Sequence, residues 1–120
     1  QGDFESGDKY TGICYGEAFR GILSLRGDRT TLSRDSSGKL TKTIEKIGDP
    51  AKLGLAVKKG EWNEYRIVAE GFRFEHFVNG KKMCELIDKD ASQRKSSGLL
   101  ALQVHAGPPM KVYFRNIKLK

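Results

Sequence analysis

Apolar and polar residues alternate along most of this chain, in short runs separated by clusters of Gly, Asn, Asp and Ser. A period of two puts successive side chains on opposite faces of an extended strand, and helical periodicity is nearly absent, so the pattern predicts an all-β chain. Strands are expected near residues 11–15, 22–26, 29–33, 40–46, 61–69, 72–79, 81–87, 98–105 and 110–119. Asn79-Gly80, lying between two such runs, predicts a tight hairpin, because both residues tolerate positive φ. Asp35-Ser36-Ser37-Gly38-Lys39 reads as a turn and Asp49-Pro50 as a loop. The polar stretch 88–97 reads as a surface loop with a helical turn. No internal repeat or low-complexity segment interrupts this organisation.

The same period assigns faces. Leu100, Leu102 and Val104 form a core face, opposed by Leu99, Ala101, Gln103 and His105. Leu23 and Leu25 oppose Ser24 and Arg26; Tyr65, Ile67 and Ala69 oppose Glu64 and Arg66. Over 72–79 both sides carry rings, Phe72, Phe74 and His76 on one and Phe77 on the other. That arrangement suits a central strand between the core and a groove wall. In the last run, Val112 and Phe114 give way to Ile117 and Leu119 with a change of phase, which predicts a bulge at Arg115-Asn116. Short antiparallel strands with one apolar face each imply a β-sandwich.

A chain of 120 residues is one domain or part of one. Hydrophobic residues at 38% and charged residues at 31% fit a folded globular protein. No apolar run approaches the roughly 20 residues of a membrane helix, and no secretory signal stands at the front. The net charge of +7 is spread over Arg20, Arg26, Arg34, Lys58, Lys82, Arg94 and Lys118 rather than gathered in one block. It therefore argues against a nucleic-acid binder. Cys14 and Cys84 have no zinc-site spacing and read either as buried free thiols or as a disulfide in an exported chain. Phosphate-loop, GxSxG and HExxH signatures are missing, which excludes those reaction classes.

A series of motifs carries a family resemblance. Gly60-Glu61-Trp62-Asn63-Glu64-Tyr65 is followed by Arg73-Phe74-Glu75-His76-Phe77-Val78-Asn79-Gly80 and Asp88-Lys89-Asp90. Then come Gly98-Leu99-Leu100-Ala101-Leu102-Gln103-Val104-His105-Ala106-Gly107-Pro108-Pro109-Met110 and Phe114-Arg115-Asn116-Ile117. Upstream stand Thr11-Gly12-Ile13-Cys14-Tyr15-Gly16 and Arg20-Gly21-Ile22-Leu23-Ser24-Leu25-Arg26-Gly27. Together they resemble the 3-keto-disaccharide hydrolase family, long a domain of unknown function. The resemblance implies a jelly roll related to concanavalin-like lectins and glucanases. Members are mostly bacterial and exported, to the periplasm or beyond, and often belong to larger proteins. Relatives cleave glycosides whose sugar carries a ketone at carbon 3, some with a divalent metal. Family domains usually carry several strands before the segment resembling Thr11 to Gly16, so this chain is expected to be the C-terminal two-thirds of such a domain.

A ketone at carbon 3 acidifies the proton at carbon 2, so the expected chemistry needs a base near neutral pKa and a group that stabilises an enolate. His76 and His105 are the only histidines, and both fall within the motifs. His105, on the strand that lines the groove in the family, is expected as base or metal ligand, with Gln103 and Arg26 binding sugar hydroxyls or the ketone. His76 is either a second catalytic imidazole or one packed among Phe72, Phe74 and Trp62. Trp62 and Tyr15 could stack on a sugar or fill the core. Glu64 and Arg66 form a groove pair or a surface salt bridge, and Asp88 and Asp90 a metal-binding or acid pair or solvated loop residues. Non-catalytic carbohydrate binding, or a role as a module of a larger assembly, are the alternatives to turnover.

Overall fold

The computed structural model describes residues 10–103, 109 and 111–120. Strands β1 (Cys14–Gly16) and β2 (Gly21–Ser24) form a hairpin. Strands β3 (Asp28–Arg34), β4 (Leu40–Lys46), β5 (Tyr65–Glu70), β6 (Arg73–Val78) and β7 (Lys81–Asp88) form a five-stranded sheet in the order β4-β3-β7-β6-β5. The hairpin lies over this sheet, and the result is an all-β sandwich. One pairing departs from the antiparallel expectation: β3 and β7 run parallel, with Arg29 beside Glu85 and Leu32 beside Asp88.

Local chemistry explains the joints. Asn79 (φ 48°) and Gly80 (φ 76°) make the expected tight turn between β6 and β7. Asp35 Oδ1 accepts from the Ser37 and Lys39 backbone N–H groups and closes the β3–β4 turn. Asp49-Pro50 is not a plain loop but the start of a short helix, α1 (Pro50–Gly54). Asp49 caps it by accepting from Lys52 N at 2.8 Å, and Pro50 suits the first helical turn, where no N–H is needed.

Two face assignments change. Strand β2 stops at Ser24, and a turn closed by Asp28 N–H to the Leu25 carbonyl reverses the path through Gly27 (φ 86°). A Cβ at Gly27 would stand 2.5 Å from the Gly48 carbonyl oxygen, so only glycine fits. The turn throws Leu25 outward and brings Arg26 inward to 6% exposure, the reverse of the alternation reading. The run expected over 61–69 becomes a strand only from Tyr65. The expected strands at 98–105 and 110–119 are not formed among their described residues, so no strand bulge exists at Arg115-Asn116, although Asn116 has φ 55°. Leu100 and Leu102 are 77% and 54% exposed. Alternation fixes which side chains share a face, but burial requires a neighbouring surface to cover that face. Val104 and His105 lie outside the described residues.

Leu23 of the hairpin packs with Leu32 and Leu86 of the sheet, flanked by Cys14, Leu40 and Phe74. Below them Ser24 Oγ lies 3.0 Å from the Glu85 carbonyl and accepts from Thr30 Oγ1 at 3.0 Å. His76 is buried beside this core, with Nδ1 3.2 Å from both the Ile13 carbonyl and the Tyr65 hydroxyl. A carbonyl only accepts, so Nδ1 carries the proton.

The polar stretch after β7 is not a solvated loop at its start, because Asp88 and Asp90 are buried. Arg20, in the β1–β2 turn, grips both Asp88 oxygens, at 3.1 and 2.6 Å, and stands 3.6 Å from Asp90. Arg34, at the end of β3, grips both Asp90 oxygens at 2.9 and 3.0 Å. Arg94 adds a bond to the Asp88 carbonyl at 3.3 Å while lying 3.8 Å over the Phe72 ring.

Two predictions follow from these buried groups. Arg20→Met leaves the buried Asp88 carboxylate short of its partner and should lower unfolding stability by about 3 kcal/mol, read from the urea midpoint. Burial holds the His76 pKa down, from 6.5 to about 4. The unfolded chain therefore takes up this proton near pH 6.5 and the folded one only near pH 4. Stability is complete above pH 6.5 and should fall by up to about 3 kcal/mol as pH drops toward 4. His76→Gln should flatten that part of the urea-midpoint profile. The bonds from Arg34 and Ser92 lower the Asp90 pKa from 3.8 to about 2, so a further decline belongs between those values.

Candidate functional site

The outward side of the β1–β2 hairpin presents the side chains best suited to a polar ring-shaped ligand. Tyr15 pairs with Ile22 across the hairpin, and both point away from the core that Leu23 and Cys14 face. The connecting turn is tight, with Ala18 in the left-handed region (φ 53°) and Phe19 N–H donating to the Gly16 carbonyl at 3.3 Å. It exposes Phe19 and Glu17 beside Tyr15. Gln103 reaches this turn from the far end of the chain, its Nε2 donating to Glu17 Oε2 at 2.5 Å. Behind the turn, Arg20 is held by Asp88 and stands 4.9 Å from the Phe19 ring.

A carboxylate joined to an amide offers several acceptors and one further N–H donor in a small area, the set that reads adjacent sugar hydroxyls. Exposed aromatic rings supply flat apolar surface for the C–H face of a pyranose. Glu17 was not among the expected residues. The only available signal was its place directly after the Gly16 that closes a family-like motif, where a lone acid reads as turn polarity.

The other expected residues lie elsewhere. Arg26 lies under α1, its guanidinium within 3.1 Å of where a Gly54 Cβ would stand, at a groove of about 380 Å³ shared with Leu55, Val57 and Lys59. Trp62 is half exposed and carries the Arg115 guanidinium 4.0 Å over its ring. Glu64 is exposed; its backbone exchanges bonds with Asn79, N–H to Oδ1 at 2.9 Å and carbonyl to N–H at 3.0 Å. Arg66 lies 4.1 Å over Phe77, covering the ring expected to form a groove wall. His105 lies outside the described residues.

Asp88 and Asp90 do not fit a divalent cation. All four of their oxygens already meet guanidinium, hydroxyl or backbone N–H donors, and the two arginines would repel a metal. Among the described residues, no group of three or more His, Cys, Asp or Glu is placed to share an ion.

The sheet face opposite the hairpin is charged but internally balanced. Glu85, buried at the centre of β7, meets Arg73 Nε at 2.9 Å, Arg29 Nε at 3.1 Å and Lys82 Nζ at 3.4 Å. Burial pushes the Glu85 pKa up, but the bonds from Arg73 and Arg29 outweigh it and leave the carboxyl below its usual range. Arg29 also meets Glu45 at 2.9 Å, and Glu75 meets Arg73 at 3.1 Å as well as Lys82. A carboxylate held ionised by cations is a poor general acid, so this face reads as a stabilised sheet surface.

Over residues 2–120 the chain matches the family model described as a 3-keto-alpha-glucoside-1,2-lyase-like domain. No curated protein and no solved structure matches it. The chain thus belongs to the 3-keto-alpha-glucoside-1,2-lyase-like domain family, which supports a carbohydrate-active function in general.

Proposed function

We propose that this domain cleaves glycosides of 3-keto sugars at the outer face of its β1–β2 hairpin. The family match across residues 2–120 supports the reading, and the joined Glu17 and Gln103 on the same hairpin face as Tyr15 support the choice of this face. The C2–H bond breaks to a base, the electron pair then forms C1=C2 as the C1–O bond breaks, and the protonated base returns its proton to the departing glycosidic oxygen. The ketone holds the intermediate negative charge as an enolate. Glu17 and Gln103 bind ring hydroxyls, and Tyr15 packs against the sugar.

The base assigned here is His105. Of the two histidines, His76 is unsuited: it is buried, it donates its Nδ1 proton to the Ile13 carbonyl, and its pKa is held at about 4. His105 is the other histidine, and it lies two residues along the chain from Gln103. In this reading the protein works in the periplasm or outside the cell, as a unit of a larger protein, on a carbohydrate. The confinement of His76 favours one second reading, a module that binds sugar without turning it over.

Incubation with a 3-keto glucoside, with and without chelator, separates the two. The expected result is enone and free leaving group, with His105→Ala slowing turnover at least about 100-fold. Glu17→Gln and Gln103→Ala should each raise KM about tenfold with less change in kcat. Sugar binding without product would replace turnover with the binding module, and neither binding nor product would remove both.

A further inference from the structure

We propose that Cys14 and Cys84 are the two halves of a disulfide that staples the β1–β2 hairpin to the central strand β7. The inference rests on packing and does not depend on the function of the hairpin's outer face.

The segment around Cys14 and the segment around Cys84 are pressed together along three successive residues. A Cβ at Gly12 would stand 2.5 Å from the Met83 Cβ, so backbone there lies directly on β7. The Ile13 carbonyl meets His76, whose partner across the β6–β7 ladder is Cys84 itself. Cys14 packs on Leu23, Leu32 and Leu86, and Leu86 shares a strand face with Cys84. Ser24, the ladder partner of Cys14, has its hydroxyl 3.0 Å from the carbonyl of Glu85, the residue next to Cys84. Both cysteines are free thiols in this structure, Cys14 half-buried and Cys84 fully buried. The hairpin is therefore already held against β7 around these two residues, where a covalent bond would join them outright.

The chemistry needs an oxidant, and a low-molecular-weight disulfide supplies it. The thiolate of Cys14, the more accessible of the two, attacks one sulfur of that disulfide and expels a small thiolate. The Cys84 thiolate then attacks the Cys14 sulfur of the mixed disulfide and expels the second. The two cysteine protons end on the two released thiols, so the chain loses two hydrogens and the reagent gains them. Burial raises both cysteine pKa values, Cys84 to about 12, so few thiolates exist once the chain has folded. The staple thus forms while the chain folds and only slowly afterwards. It closes a loop of about 70 residues, long enough to restrict the unfolded chain strongly.

The test is to refold the reduced, denatured protein in a mixture of oxidised and reduced glutathione. The expected product is a monomer about 2 Da lighter than the dithiol form, with no alkylatable thiol after denaturation and a peptide joining Cys14 to Cys84. Its melting temperature should exceed that of the reduced protein by roughly 10 °C or more. Cys14→Ser, which places a hydroxyl of similar size at a half-buried position, should melt like the reduced wild type and show no redox dependence. Two free thiols after refolding, a glutathione adduct on Cys14 alone, or disulfide-linked dimers would each overturn the proposal.

Discussion

Two carboxylates two residues apart, both removed from water, can remain ionised only if cations are brought to them. At the end of β7 that condition falls on Asp88 and Asp90, and Arg20 and Arg34 meet it. Each arginine comes from a different element, Arg20 from the hairpin turn and Arg34 from the end of β3. The guanidinium fork binds both oxygens of a carboxylate at once, which fixes direction as well as distance. The hairpin is therefore seated on the sheet from one end by charge and along its length by Leu23, Ser24 and Ile13. Neutralising this pair is a condition for closing the sandwich.

The same seating positions the outer face. With Arg20 turned inward to Asp88, the left-handed turn at Ala18 leaves Glu17 and Phe19 directed outward, next to Tyr15. A turn anchored from behind presents its front with little residual freedom, and lowering that freedom reduces the cost of ordering a ligand. The Gln103 bond to Glu17 adds a constraint from residues far away in sequence.

Much of the sheet could be read from the chain because its signals are local. Asn79-Gly80, the Asp35 turn and the alternation in 29–33, 40–46 and 81–87 depend on neighbouring residues only, and each appears as expected. What escaped depends on distant partners. Arg26 turned inward because Gly27 meets Gly48, some 20 residues away. Leu100 and Leu102 carry a core pattern with no covering surface among the described residues. Asp88 and Asp90 look like ligands or loop acids until Arg20 and Arg34 are known to face them. Glu17 gained a site reading only through Gln103. At the candidate site, Gln103 was singled out from the sequence, but neither its partner Glu17 nor the absence of a strand over its described neighbours was legible.

The arginines also change what the net charge of +7 means. Arg20, Arg34, Arg29 and Arg73 are engaged with carboxylates of the fold, and Arg66, Arg94 and Arg115 lie over Phe77, Phe72 and Trp62. A guanidinium used this way covers apolar area with its stem and face while its N–H groups meet acceptors. In a small sandwich with few fully buried apolar side chains, such arginines do part of the work that a larger core would do. Each one committed to a buried carboxylate is also unavailable to a ligand. The charge free to meet a ligand is therefore smaller than the sum over the sequence. On the hairpin's outer face the chain exposes an acid bonded to an amide and two rings.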